Sequence, residues 1–315
     1  MTTYKIIVNP VSGRGAGAKK QPIIESLLQK HGLDYHLVRT ERPWHAAELA
    51  QQAATEGYGV VVAVGGDGTA NEVLNGLMLA RETGAGDGAA LGVLCVGRGN
   101  DLAYGLGLPR DVAEACRILA QGQRRLVDVG RVVGGLYPQG RYFGNGVGIG
   151  FDAVVGFEAL KLTWLHGFAS YLIAALKTIL LFSRAPLVRL EYGDCPITQP
   201  ALMISIMNGR RMGGGFLMAP QARIDDGLLD LCVAGEVNRA GILALLPRFV
   251  RGTQAGHAAI RNDRLSRIAV TALEGVLPAH ADGETLCTTG QRLEIEILPG
   301  QLEVVCGCDA AEAGR

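Results

Sequence analysis

The chain has 315 residues, of which 48% are hydrophobic and 19% are charged, a balance that excludes an intrinsically disordered protein. Its length exceeds that of most single domains, so we expect two domains, each with a hydrophobic core of its own. The 30 basic and 30 acidic residues cancel to a net charge of zero, which gives no electrostatic ground for binding nucleic acid.

The first 130 residues alternate between strand and helix patterns. In chain order they are a strand over YKIIVNP, a helix over AKKQPIIESLLQKHGL, a strand over DYHLVRT, a helix over PWHAAELAQQAATEG and a buried strand over GVVVAVG. The order βαβαβ predicts a parallel sheet covered by helices, an α/β fold of the Rossmann or phosphofructokinase-like kind. Ligands of such sheets bind at the carboxyl ends of the strands.

Beyond about Asp128 the pattern changes to short alternating segments separated by turn residues, among them ALMISIMNG, LLDLCVAG and RLEIEILPG. Such segments are typical of antiparallel strands in a β-sandwich or barrel. We therefore predict an α/β domain over residues 1–130 and a mostly antiparallel β-sandwich domain over residues 131–315. Helices are expected near 153–182 and 238–253, and a return of the extreme C-terminus to the first domain is left open.

The most apolar segment, Phe168 to Phe182, has 15 residues and contains Lys177, so it is shorter than the ~20 residues of a membrane span. Its apolar residues recur at helical spacing and predict an amphipathic helix. That helix either packs on the core or lines an apolar cleft or a membrane contact. Lys161 to Arg267 contains 13 basic and 7 acidic residues, which either attract an anionic membrane surface or are scattered, solvated charges.

The seven cysteines lie mostly in apolar segments, which is typical of reduced, buried thiols. Cys306 and Cys308 lack the spacing of a zinc site, so we interpret them as structural. The amino terminus, MTTYKIIVNP, enters a strand at once and shows no signal peptide. These features lead us to expect a cytoplasmic protein, with peripheral membrane association left open.

Three glycine-bearing turns follow strands of the predicted parallel sheet. They are NPVSGRGAG from Asn9, GGDGT from Gly65 and GRGND from Gly97. Glycine turns at one edge of a sheet, next to the start of a helix, form a site for polyphosphate. No GK dipeptide occurs in the chain, which excludes a Walker A loop.

Asp67 lies at the centre of the second turn, where a carboxylate would repel phosphate. It either faces a hydrated Mg²⁺ or a donor hydroxyl, or it stabilises its own turn. Thr69 and Glu72, three residues apart, fit a capping box, in which each side chain bonds the backbone N–H of the other residue.

These motifs, together with FGNGVGIGFDA from Phe143, MNGRRMGGGFLMAPQARIDDGLLDL from Met207 and DGE from Asp282, resemble the diacylglycerol kinase catalytic-domain family. The layout is most similar to the soluble bacterial lipid kinases, with sphingosine and ceramide kinases as relatives, and it covers nearly the whole chain in order. The resemblance implies an ATP- and Mg²⁺-dependent kinase acting on a hydroxyl of a diacylglycerol-like or related lipid. The nucleotide would bind in the first domain and the lipid in the second, and the identity of the lipid is left open.

The resemblance also implies roles for individual residues. Glu284 would be the proton acceptor with Asp282 as its partner, and Asp67 would belong to the magnesium network with Asp101 and Asp128. A structural Mg²⁺ would be held by the Asp226 carboxylate and by carbonyl groups at Arg223 and Leu228. ATP would contact Asn9, Ser12, Gly13, Arg14, Thr40, Gly65, Gly66, Asp67, Gly68, Thr69, Gly97 and Arg98.

The DGE segment has two interpretations when its residues are taken alone. Asp282 and Glu284 lie two apart, so on a strand they would share a face and place one carboxylate on a substrate hydroxyl. Alternatively, Asp282 and Gly283 form a hairpin turn.

Arg98 and Cys95 depart from the family pattern, which usually has a small hydroxyl residue and a proline at these positions. We expect Arg98 to contact phosphate directly, because arginine is an effective phosphate ligand. If it instead blocks the nucleotide, the chain is a non-catalytic regulator that binds nucleotide or lipid. A soluble-substrate kinase of the NAD kinase type shares the GGDG turn but fits NPVSGRG and DGE poorly. Exposed strands of the second domain also allow a homodimer.

Overall fold

The computed structural model describes residues 2–84, 88–162, 168–181 and 185–307. These residues form two compact units. The first unit contains the chain up to Asp128 and from Gly300 onward, and the second contains Val129–Pro299. Phe182 and Cys308, which entered the predictions above, lie outside the described residues.

The first unit alternates strands and helices along the chain. Its elements are β1 (Thr3–Val8), α1 (Ser12–Lys30), β2 (Asp34–Arg39), α2 (His45–Thr55), β3 (Val60–Gly65), α3 (Asp67–Glu82), β4 (Ala90–Cys95), α4 (Asp101–Gly105), α5 (Val112–Gln121) and the first residues of β5 (Arg124–Gly134).

The second unit consists of strands and three α-helices. Its elements are β6 (Tyr137–Phe143), β7 (Gly146–Gly150), α6 (Phe151–Lys161), α7 (Phe168–Leu181), β8 (Leu187–Glu191), β9 (Ile197–Met207), β10 (Leu229–Gly235), α8 (Arg239–Arg251), a short 3₁₀ turn (Gln254–Gly256), β11 (Ile260–Leu265), β12 (Arg267–Glu274), β13 (Leu277–Ala281), β14 (Glu284–Gly290) and β15 (Arg292–Val305). The last residues of β15 belong to the first unit.

Parallel strands build the sheet of the first unit, in the order β15, β4, β3, β1, β2. All residues of β3 and β4 are buried. Helices cover a parallel sheet on both faces, which explains why VVVAVG is apolar throughout rather than alternating. The predicted parallel α/β fold is confirmed, and the glycine-bearing turns follow the carboxyl ends of β1, β3 and β4.

The second unit contains two antiparallel sheets, and the predicted β-sandwich is confirmed. One sheet contains β14, β13, β7, β9, β10 and β11, and the other contains β8, β12, β15, β5 and β6. In the second sheet β8 pairs with the start of β9. Leu229, Leu231 and Val233 of β10 enter the core shared by the two sheets, whereas Cys232 and Ala234 pack under the helices. This alternation follows from the two-residue period of a strand.

Helices α6, α7 and α8 cover the outer face of β9 and β10. Helices α6 and α7 lie in the helical region expected near 153–182. Helix α7 buries Ala174, Ala175 and Ile179 and exposes Leu176. Among the described residues, no helix is long and apolar enough to cross a membrane.

Candidate functional site

The three glycine-bearing turns of the first unit pack directly against one another. A Cβ added at Gly97 would lie 2.2 Å from the Gly66 Cα, and one added at Gly13 would lie 2.1 Å from the Val96 carbonyl oxygen. A Cβ at Gly66 would lie 3.7 Å from the Ser12 hydroxyl. Side chains are thus excluded where the turns meet. We call residues 9–17, 65–69 and 97–101 the glycine edge.

The Asp67 carboxylate binds the backbone of the third turn. Its Oδ2 accepts the Asn100 N–H at 2.6 Å, and its Oδ1 accepts the N–H groups of Asp101 at 2.6 Å and Leu102 at 3.2 Å. These donors lie where α4 begins, and unpaired N–H groups at a helix start favour a carboxylate. Asp67 therefore stabilises the neighbouring turn, an alternative that the sequence had not suggested.

The capping box expected at Thr69 and Glu72 is wrong. Gly66 precedes α3 and no side chain caps that helix. The Thr69 hydroxyl instead accepts the Asn9 side-chain N–H at 2.9 Å. The Glu72 carboxylate accepts the N–H groups of Trp44 at 2.9 Å and Ala46 at 3.0 Å, at the start of α2. Both side chains thus connect α3 to other segments of the first unit.

Two arginines lie at the surface of the glycine edge. Arg14 is exposed and has a φ of 59°, between Gly13 at 57° and Gly15 at 86°. A non-glycine residue in this left-handed region stores strain, which is common at functional sites. Arg98 is also exposed, and its side chain makes no hydrogen bond or ion pair with any described residue. Thr40, by contrast, is buried, and its N–H donates to the Val8 carbonyl at 2.9 Å.

Two carboxylates lie beside Gly99. A Cβ added at Gly99 would lie 2.7 Å from Asp67 Oδ2 and 3.3 Å from Asp101 Oδ2, so two carboxylates border the space beside this glycine. Carboxylate oxygens are the ligands that Mg²⁺ prefers. Asp128 is buried and accepts the Gly300 N–H at 2.8 Å.

The DGE segment forms a β-hairpin between β13 and β14. Asp282 and Gly283 have φ values of 49° and 87°, as in a two-residue turn with both residues left-handed. The expectation that Asp282 and Glu284 share a strand face is therefore wrong, because Asp282 belongs to the turn. Glu284 begins β14 and is partly exposed, and its carboxylate has no hydrogen-bond partner in the described part of the chain.

Asp282 uses its carboxylate in the same way as Asp67. Its Oδ2 accepts the Gly144 N–H at 2.8 Å, and its Oδ1 accepts the N–H groups of Asn145 at 3.0 Å and Gly146 at 2.9 Å. The hairpin is thereby joined to the turn between β6 and β7. Sequence spacing gives no sign of this contact, since the partners are more than 130 residues apart.

The structural magnesium predicted at Arg223, Asp226 and Leu228 does not fit the observed contacts. Asp226 Oδ2 forms an ion pair with Arg264, and Asp226 Oδ1 accepts the Leu228 N–H at 3.1 Å. The Arg223 guanidinium contacts Asp225. A protein cation thus pairs with Asp226, and the described residues contain no group of three or more His, Cys, Asp or Glu that could hold a metal ion.

A second feature, in the second unit, was not singled out from the sequence. A pocket lies between α6, α7, α8 and the strands β9 and β10. Asp152 is the one polar side chain among the described residues that line it, and burial raises the pKa of its carboxyl group. Its apolar lining comes from positions scattered over five elements, so no local motif indicates it.

Two family models match the chain. The model described as "Diacylglycerol kinase catalytic domain" matches residues 3–132, and that described as "YegS C-terminal NAD kinase beta sandwich-like domain" matches residues 145–306. A protein named diacylglycerol kinase from Mycobacterium tuberculosis is 29% identical over 300 residues, covering 95% of this chain and 93% of the relative. Another of that name, from Bacillus subtilis, is 29% identical over 287 residues, covering 90% of each.

Solved structures show the same fold. A diacylglycerol kinase from Bacillus anthracis superposes with a TM-score of 0.73 at 22% identity, covering 98% of both chains. An NAD kinase from Archaeoglobus fulgidus in complex with ATP has a TM-score of 0.54 at 12% identity, covering 99% of this chain and 96% of that one.

We predict that Asp67→Asn lowers the free energy of unfolding by about 2–3 kcal/mol, because an amide removes the charge and turns an N–H group toward backbone donors. Urea unfolding of the full chain measures the loss. Asp111→Asn is the matched control, since Asp111 caps α5 from the surface by accepting the Glu114 N–H and asparagine caps equally well. Equal stability of Asp67→Asn and the wild type would contradict the assignment.

Proposed function

The chain belongs to the diacylglycerol kinase catalytic-domain family, whose members are kinases, and on that premise we propose that it transfers the γ-phosphate of ATP, with Mg²⁺, to a hydroxyl of a diacylglycerol-like lipid. The observation that carries the lipid assignment is the pocket of the second unit. Pockets with apolar walls and a few polar groups are typical small-ligand sites. Its apolar lining favours an acyl chain.

The glycine edge is the proposed nucleotide site. Because its glycines carry no side chains, phosphate can approach the N–H groups at the start of α3. The helix dipole favours negative charge there. Arg14 and Arg98 add positive charge at the surface of the same edge. The lack of a protein partner for Arg98 among the described residues supports a phosphate contact over a structural role.

Asp67 and Asp101 are the proposed magnesium residues. The bound ion would neutralise charge on the triphosphate, which is its general role in phosphoryl transfer. Asp67 would have two tasks, since the oxygen that accepts the Asn100 N–H also borders the space beside Gly99. The structural Mg²⁺ at Asp226 is not part of the proposal, because Arg264 supplies the positive charge there.

Glu284 is the proposed acceptor of the lipid hydroxyl's proton. Its carboxylate has no partner in the described structure, so it is available to a substrate. Asp282 is already bound to three backbone N–H groups, so its contribution is to fix the hairpin on which Glu284 lies. Asp282 is therefore a positioning residue in this proposal, and Glu284 carries the chemistry.

Peripheral contact with a membrane is proposed through α7 and α8, which border the pocket. Exposed apolar side chains on these helices include Ile173, Leu176 and Leu243. Helix α8 contains three arginines, and neither helix contains an acidic residue. Apolar and basic side chains on one surface fit an anionic lipid interface. A cytoplasmic location and a homodimer through exposed strands remain predictions.

A soluble-substrate kinase of the NAD kinase type is the second candidate, because the chain also shares its fold with NAD kinases. The apolar pocket opposes it, since a dinucleotide needs many polar contacts. A regulator inactivated by Arg98 is the third alternative, and it predicts binding of nucleotide or lipid without a phosphorylated product.

We predict that the wild type transfers labelled phosphate from ATP to a hydroxyl lipid in mixed micelles and not to NAD. Glu284→Gln keeps the size of the side chain but removes the base, so turnover should fall about 10²- to 10⁴-fold. Glu294→Gln is the control, since Glu294 is an exposed partner of Arg267 on β15. Label in NAD alone, or full activity of Glu284→Gln, would contradict the proposal.

We predict that replacing Arg248 and Arg251 together by glutamine weakens binding to vesicles containing phosphatidylglycerol by about 10- to 30-fold. Each basic residue near an anionic membrane surface contributes about 1 kcal/mol to the free energy of binding. Co-sedimentation with vesicles measures the change, and Arg117→Gln on α5 is the control. Wild-type binding by the double variant, or no preference of the wild type for anionic vesicles, would contradict membrane docking through α8.

A further inference from the structure

Asp152, in the first turn of α6, is the polar residue of the apolar pocket. Its side chain is 15% exposed. Its Oδ2 accepts the Ser205 hydroxyl at 3.5 Å and lies 3.9 Å from His280 Nε2. Its Oδ1 has no hydrogen-bond partner among the described residues. One oxygen of this carboxyl group is therefore held by the protein, and the other is available to a ligand in the pocket.

The orientation of His280 relative to Asp152 is set by a contact on the other side of the imidazole ring. The Gly283 N–H donates to His280 Nδ1 at 3.3 Å, so a neutral ring carries its proton on Nε2, the nitrogen nearest Asp152. Gly148 lies close to both groups, because an added Cβ would be 2.3 Å from Asp152 Oδ2 and 2.6 Å from His280 Nε2. The pair is thus tied to the hairpin that carries Glu284 and is closely confined by β7.

The surroundings of Asp152 favour a protonated carboxyl group. Burial raises its pKa, while His280 and Ser205 act in the opposite direction. No Lys or Arg is among the described residues that line the pocket. A neutral carboxylic acid has one O–H to donate. In an apolar pocket an unpaired polar group is costly, so a ligand that provides an acceptor is favoured over one that does not.

We propose that Asp152, held by Ser205 and His280, donates a hydrogen bond to an ester carbonyl of the bound lipid, and so makes the chain select acyl lipids over alkyl ethers. The inference rests on the proposed lipid-kinase function and narrows its substrate class. A carbonyl is a stronger acceptor than an ether oxygen, and a carboxyl group whose pKa is raised by burial is a poorer partner for an ammonium group. The free hydroxyl of the same lipid remains for Glu284.

The test compares dioctanoylglycerol with its dioctyl ether analogue, which have the same number of chain carbons but differ in the carbonyl group. We expect the wild type to favour the ester about 10-fold in kcat/KM, the effect of one buried hydrogen bond. Asp152→Leu should bring the ester-to-ether ratio to about 1. Asp152→Asn retains an N–H donor at the same position and should keep most of the ratio.

Equal use of both lipids by the wild type would overturn the inference while leaving the lipid-kinase proposal intact, whereas phosphorylation of neither lipid would overturn the kinase proposal. Binding of the two lipids in mixed micelles, measured by calorimetry, then decides the inference separately, because the ester preference is expected in Kd as well. The inference would also be overturned if Asp152→Leu kept the ester-to-ether ratio of the wild type, or if the wild type preferred a sphingoid amine to the ester. If Asp152→Leu does not fold, Ser205→Ala replaces it and should lower the ratio.

Discussion

The bond between the Asp67 carboxylate and the N–H groups of Asn100, Asp101 and Leu102 is the contact on which the glycine edge depends. Glycine turns have no side chains to pack, and glycine loses more conformational freedom on folding than other residues. Something outside each turn must therefore hold it. Asp67 does so for the third turn, and Asp282 does the same for the turn at Gly144 to Gly146.

This arrangement explains why acidic residues stand in two glycine-rich motifs. A carboxylate accepts several short hydrogen bonds at once, and bonds to a charged acceptor are stronger than neutral ones. In the first unit the result is a backbone surface at the proposed nucleotide site, with two carboxylates beside Gly99. In the second unit it is a hairpin whose Glu284 carboxylate makes no hydrogen bond to the residues that the structure describes. Preorganised groups of this kind need little rearrangement during reaction.

The sequence was sufficient for the fold because periodicity and turn residues are local signals. A strand that is apolar throughout, such as VVVAVG, is buried on both faces of its sheet. An alternating strand such as LLDLCVAG has side chains that point to opposite faces in turn. The site was harder to predict because its contacts are nonlocal. Glu72 fits a local capping box yet binds α2, and Asp226 fits a turn-bound metal ligand yet pairs with Arg264 of β11. Asp152 lies in the motif FGNGVGIGFDA, but the motif did not indicate its pocket, because the pocket is assembled from five elements.

Hydrogen exchange of the amides of Asn100, Asp101 and Leu102 tests the central claim most directly. The account predicts slow exchange in the wild type and markedly faster exchange at these amides in Asp67→Asn, with little change at Ala115, whose N–H donates to the Asp111 carbonyl of α5. Fast exchange of the three amides in the wild type, or exchange unaffected by the substitution, would contradict it.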